Sequence, residues 1–256
     1  MLENIRDYFG TLEGEYIPQL SLNCVILAYH QRKLQVVVNE VSLGKNTLLA
    51  IPGGYVHQKE DLTEAVHRIV RESTGLEDVL FKQFAIFGKA SRSFAEELSG
   101  MMDLESDSDQ LLFNWISKRH VSLGYIALVD YSTIELKPIE FYDSARWLDL
   151  DQAGKLIMDH EGMICSAMEF LRKEMPYTPV ASNLLPPRFT LPELLALVES
   201  ILDRKIDRPN FRRKILSTGL LKKVGLDSSG KRRPADLYSF KHGKDTTLMD
   251  DVKFGF

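Results

Sequence analysis

The sequence predicts a mixed α/β sandwich followed by a small basic module of two helices and a β-hairpin. Three observations carry this. β-rich runs lie on both sides of one well-capped amphipathic helix near residues 62–74, a second capping pattern and a proline-started helix follow residue 190, and charge divides between the two parts. The chain has 256 residues, 44% hydrophobic and 27% charged, a globular composition with room for one large or two ordinary domains. Its formal net charge is −4, but residues 188–244 carry 14 Lys/Arg against 6 Asp/Glu, a balance of +8, which leaves −12 on the remainder. Two differently charged domains follow.

Composition also excludes some classes. No apolar run approaches the length of a membrane span, and the start, MLENIRDYFGTLEGEY, lacks a basic stretch followed by an apolar one. The reading is a cytoplasmic protein with no membrane partner. Cys24 and Cys165 are far apart in apolar surroundings, which predicts two buried free thiols and neither a disulfide nor a metal site.

Residues 1–20 read as a lead-in with a short helix at 4–9. The runs 22–29 and 34–41 are strands of a hairpin turning at 30–33, and 48–51 is a strand that ends at Pro52. Gly53 and Gly54 are then expected in a loop beneath something bound, where backbone without side chains lets a ligand approach. Asp61 with Glu64 three residues on forms a capping-box pattern and Gly75 is placed to close the helix. Ala65, Val66, Ile69 and Val70 supply its apolar face, while Arg68 and Glu72, four apart, can pair.

Strands are expected at 79–88 and 120–131. Between them, residues 93–117 hold six Asp/Glu and no Lys/Arg, an acidic insertion expected to be a mobile loop or a lid, with LLFNWI apolar enough to dock. The run 141–150 leads to a helix near 152–158, and a longer helix spans about 161–174 with Met163, Ile164, Ala167, Phe170 and Leu171 on one side. Four prolines and no period mark MPYTPVASNLLPPRFT as the linker. The domains expected are therefore 1–175, a linker at 176–189, a basic domain at 190–244 and a tail at 245–256.

In the basic part, Thr190 with Glu193 repeats the capping box, and Leu191, Leu194, Leu195, Val198 and Ile201 make an apolar stripe. A second helix starts near Asp207 with Pro209 in its first turn. There Phe211, Ile215 and Leu216 are expected to face the core, leaving Arg208, Asn210, Arg212, Arg213 and Lys214 for DNA. Residues 220–224 and 235–240 read as strands of a hairpin whose tip carries Lys231, Arg232 and Arg233. This is the pattern of a winged helix-turn-helix. Arg and Asn can bond base edges in pairs of hydrogen bonds, and a cationic hairpin tip suits phosphates or the minor groove. A merely solvated basic face is the alternative.

The stretch GGYVHQKEDLTEAVHRIVRESTGL resembles the Nudix box, with Gly54, Glu60, Arg68, Glu72 and Gly75 in register. Ile69 and Ser73 stand where the family has two further Glu. Those positions and Glu72 share a helix face, the arrangement by which carboxylates converge on divalent cations, so one carboxylate beside an arginine makes a poor metal site and hydrolysis is not expected. The whole chain, from about residue 22 to 240, resembles the NrtR regulators, which join a usually inactive Nudix domain to a C-terminal winged helix. IPGGYV, FGKASR, RHVSLGYIALV, Asp159-His160, LLPPRFTLPELLALVESIL, DRPNFRRKIL and RRPADLYSF carry the resemblance, the last two most specifically.

The resemblance implies a bacterial homodimer that binds operator DNA and senses a small effector, ADP-ribose or a related NAD metabolite in some members and a pentose such as arabinose in others. Loss of the metal carboxylates leans slightly towards a sugar. Gly53, Gly54, Glu60, Arg68, Glu72, Lys89, Arg92 and Arg119 are the candidate effector-binding residues, with no metal, cofactor or catalytic residue expected. The alternatives are an active Nudix hydrolase of a nucleoside diphosphate derivative, with Glu60 and Glu72 as surviving metal ligands, and an interaction module that never touches DNA.

Overall fold

The computed structural model describes residues 16–43, 46–77, 79–100, 107–138, 142–154, 156–174, 183–227 and 234–241. The helix expected at 4–9, the hairpin-tip cations Lys231, Arg232 and Arg233, the tail at 245–256 and the first part of the linker lie outside the described residues. The chain divides into two compact units, one of residues 1–26, 36–127 and 134–167, the other of 27–35, 128–133 and 168–256.

A seven-stranded sheet dominates the described N-terminal part. Its path runs β3 (Asn46–Ala50), β2 (Lys33–Leu43), β1 (Tyr16–His30), β6 (Val121–Leu128) and β5 (Phe81–Phe87), while β4 (Gly53–His57) pairs with β1 and β7 (Ser144–Asp149) with β2. β1 and β2 turn on two residues, Gln31 and Arg32, whose positive φ values of 48° and 65° suit a two-residue hairpin. β1 is almost continuously apolar from Cys24 to Ala28 and all five of these residues are fully buried, as a strand covered on both faces requires.

Helix α1 (Leu62–Thr74) forms where its pattern placed it. The Glu64 carboxylate accepts from the Asp61 N–H at 2.8 Å, and Gly75, at φ 73°, donates its N–H to Arg71 O at 2.7 Å and ends the helix. Ala65, Val66, Ile69 and Val70 are buried, and so is Ser73, whose hydroxyl donates to Ile69 O.

Four expectations for this part need correction. Gly53 and Gly54 lie in β4 opposite Asn23 and Leu22 of β1, not in an open loop; a Cβ at Gly53 would stand 2.8 Å from Leu22 O, so strand packing demands this glycine. The acidic insertion contains two helices, α2 (Ala95–Ser99) and α3 (Asp107–Ile116), and not only a mobile loop, while the docking expected of LLFNWI is found, Trp115 seating against Tyr16 and Tyr55. The helix expected at 152–158 is only a 3-10 turn at Leu150–Gln152 followed by a bridge from Leu156 to Leu49, and α4 (His160–Glu174) starts after it. Cys165 is exposed: on α4 it falls between the buried Met163, Ile164, Ala167 and Met168, on the other face.

The second unit holds β8 (Phe189–Thr190), α5 (Leu191–Leu202), α6 (Arg208–Ser217), β9 (Leu221–Asp227) and β10 (Ala235–Phe240), in a three-stranded sheet ordered β8-β10-β9. Thr190 and Glu193 complete the predicted cap, with Glu193 accepting from the Thr190 N–H at 2.7 Å. Asp207 caps α6 by accepting from the Asn210 N–H at 3.0 Å, and Pro209 occupies the first turn where its missing N–H costs nothing. Phe211 and Ile215 are buried as expected. Leu216 is not, being 38% exposed, since its position one residue past Ile215 turns it off the core stripe.

Candidate functional site

The residues of the box form a closed cluster. Arg68 donates through Nε and Nη2 to both oxygens of Glu60 (3.1 and 2.6 Å), through Nη2 to Tyr55 O at 2.9 Å, and stands 3.7 Å from Glu72. Glu60 also accepts from the His57 N–H at 2.8 Å. Burial acts to raise the Glu60 carboxyl, but the Arg68 and His57 bonds outweigh it and hold the group below the usual carboxylate range. A phosphate arriving here must therefore compete with Glu60 for the guanidinium.

Arg92 and Arg119 are placed elsewhere. Arg92 is buried, holds Asp159 with two bonds of 2.8 and 3.1 Å and donates to His120 O at 2.8 Å, while Arg119 donates to Gly88 O and Lys89 O at 2.8 and 3.2 Å. Lys89 itself is exposed. Tyr55 stands between the two groups: its carbonyl meets Arg68, and its ring lies 5.5 Å from Trp115, 5.4 Å from His120 and 6.0 Å from Tyr16. These four aromatic groups escaped the sequence reading, because only the folded insertion brings Trp115 to the box. The Tyr in GGYV was the one available signal.

His120 has its Nδ1 2.7 Å from Lys118 O, and its Nε2 finds no hydrogen-bond partner among the described residues. Burial lowers its pKa, so the neutral ring donates from Nδ1 and leaves Nε2 as an acceptor. His160 is more deeply set: its Nδ1 accepts from the Ile51 N–H at 3.2 Å and its Nε2 lies 3.4 Å from the Asn23 amide. Burial pushes its pKa down to about 4, Asp159 and Arg92 acting in opposite senses beside it.

In the second unit, α6 divides its polar residues between two faces. Asn210 and Arg213 meet on the side opposite Phe211 and Ile215, Arg213 Nη2 donating to Asn210 Oδ1 at 2.9 Å. Arg208 and Arg212, one turn apart, border a cavity of about 740 Å³ together with residues of α5 and of the β1–β2 turn. Lys214 is half-buried near the helix end. On the hairpin, Lys223 pairs with Asp236 at 2.6 Å.

Comparison with known proteins bears on both units. The family model described as the NrtR DNA-binding winged helix domain matches residues 181–240. Across the chain, the ADPR responsive transcriptional repressor NtrR of Acinetobacter baylyi is 27% identical over 244 residues, 93% of this chain and 86% of that protein. The crystal structure of Shewanella oneidensis NrtR superposes with a TM-score of 0.68 at 27% identity, over 92% of this chain and 98% of that one. The same regulator complexed with a 27mer DNA superposes with a TM-score of 0.67 at 28% identity, over 87% and 94%. The chain is thus similar to NrtR regulators over nearly its whole length, and its residues 181–240 match their winged helix domain. Its fold is a Nudix-like α/β domain followed by a C-terminal winged helix.

A Nudix fold implies divalent cations, and among the described residues the donor set on the box face of α1 does not fit them. The side chain at 69 is a buried Ile, Ser73 spends its hydroxyl on Ile69 O, and Glu60 is held by Arg68. Glu72 remains, itself beside Arg68. A hard cation needs several oxygen ligands, and this face offers one carboxylate under a guanidinium.

Proposed function

We propose that the protein is a transcriptional repressor that binds operator DNA through α6 and the hairpin of its winged helix, as a homodimer. The observation that carries this is the Asn210–Arg213 pair on the outer face of a proline-started second helix. An amide and a guanidinium are the groups that bond adenine and guanine edges in the major groove. The likeness to a regulator solved with DNA supports the same reading. A mobility shift on the protein's own upstream region tests it. Arg213→Ala is expected to weaken operator binding by about 1–3 kcal/mol while scrambled DNA is bound almost as before. No shift on any upstream duplex would remove the proposal and favour an interaction module.

The effector is proposed to be ADP-ribose-like. The curated relative is named for its response to ADPR, which outweighs the slight lean of the sequence towards a sugar. In support, an aromatic cluster of Tyr55, Trp115 and His120 adjoins the Arg68 group, and the buried His120 Nε2 is an acceptor with no hydrogen-bond partner among the described residues. Occupancy would change operator affinity without turnover. Incubation with ADP-ribose and magnesium is expected to release no product, because Ile69 and Ser73 supply no carboxylate; turnover abolished by Glu72→Gln would establish the hydrolase instead.

A further inference from the structure

The cavity beside α6, of about 740 Å³, is not used by the base-reading pair. Apolar side chains such as Leu195 and Phe211 form part of its wall, and its charged lining is five cationic side chains, Arg32, Arg204, Lys205, Arg208 and Arg212, against two carboxylates. One of those, Glu199, already accepts from Lys205 at 3.2 Å and from the Ile206 N–H at 2.9 Å, which hold it below the usual carboxylate range. The positive excess therefore falls to the arginines. Arg208 and Arg212 stand at i and i+4 on α6, and Arg208 occupies the first turn of a ten-residue helix whose N-terminal dipole adds to the field.

Arg32 reaches this place from a different element. It is the second residue of the two-residue β1–β2 turn, held at φ 65°, and belongs to the same compact unit as α5 and α6. We propose that Arg32, Arg208 and Arg212 form a phosphate-oxyanion cleft that holds a backbone phosphate of bound DNA, so that the sheet hairpin contributes a DNA contact outside the winged helix. Continuity favours DNA over a free anion: the reading pair Asn210 and Arg213 lies on the same helix as Arg208 and Arg212. Such a contact positions the duplex without reading its sequence.

This inference rests on the DNA-binding reading, and the test separates the two. Affinity for a labelled duplex from the upstream region and for a scrambled duplex is measured across a salt series with wild type, Arg32→Asn and Arg32→Lys. Asn is chosen because it tolerates the left-handed backbone at this position. Arg32→Asn is expected to reduce the slope of log affinity against log salt by about 0.9 on both duplexes, which is about 3.5-fold over a fourfold rise in salt. The ratio between the duplexes should stay unchanged, and Arg32→Lys should restore the slope. If wild type binds and Arg32→Asn leaves the slope alone, the cleft assignment fails by itself. A wild type that binds neither duplex removes the DNA reading and this one with it. Stoichiometric binding of inorganic pyrophosphate that is lost in Arg32→Asn, with the DNA slope unaltered, would show a free-anion site and overturn the assignment to DNA.

Discussion

Phe211→Ala is expected to unfold the winged helix at moderate temperature while leaving the Nudix-like domain folded. Phe211 is 2% exposed and among the largest fully buried side chains, on the helix whose opposite face carries Asn210 and Arg213. Truncating a buried Phe removes its transfer energy and leaves a cavity, about 3–5 kcal/mol together. A module of two short helices and a three-stranded sheet has little reserve against a loss of that size. Calorimetry should show the winged-helix transition moved to lower temperature and a second transition unchanged, with DNA binding lost at the same point. Phe211→Leu, which keeps most of the volume, should retain both. Undiminished DNA binding and an unaltered melting profile in Phe211→Ala would mean that α6 is not anchored through this ring.

The second large effect is a pH dependence centred on His160. Its folded pKa is about 4 and its ordinary value 6.5, because a fully buried ring with Nδ1 committed to the Ile51 N–H has no water to receive a proton's charge. Above pH 6.5 both the folded and the unfolded chain carry a neutral ring, so the full stability is present. Between 6.5 and 4 only the unfolded chain takes the proton, and stability falls as pH falls; below 4 the loss is complete. A shift of this size corresponds to about 3 kcal/mol. Urea unfolding of wild type and His160→Asn from pH 7.5 to 4 checks this: the wild-type curve should fall more steeply across the window by about that amount. Parallel curves would show that the ring titrates freely.

Much of the architecture was legible because it rests on local signals. The Asp61–Glu64 and Thr190–Glu193 boxes, Gly75, Asp207 and Pro209 each act within one turn of their own helix, and α1, α5 and α6 form at the places those residues mark. Apolar stripes told which faces would be buried, Ile69 among them. Of the box, the capped helix was legible from its own residues.

Only the tertiary structure decided what those residues do. Arg68 could have faced Glu72 on its own helix; the turn from β4 into α1 delivers Glu60, and two bonds to it displace Glu72 to 3.7 Å. Gly53 looked like an opening for a ligand until β1 was laid against β4 and left no room for a Cβ. The acidic stretch 93–117 has no strong helical period, and its helix α3 depends on Trp115 reaching Tyr16 and Tyr55, partners 99 and 60 residues away in sequence. Arg32 was only a turn residue until the hairpin met the cavity beside α6. Caps and periodicity are short-range and are written in neighbouring residues, whereas an ion pair, a packed glycine or a shared cleft needs atoms that the chain separates and only the fold brings together.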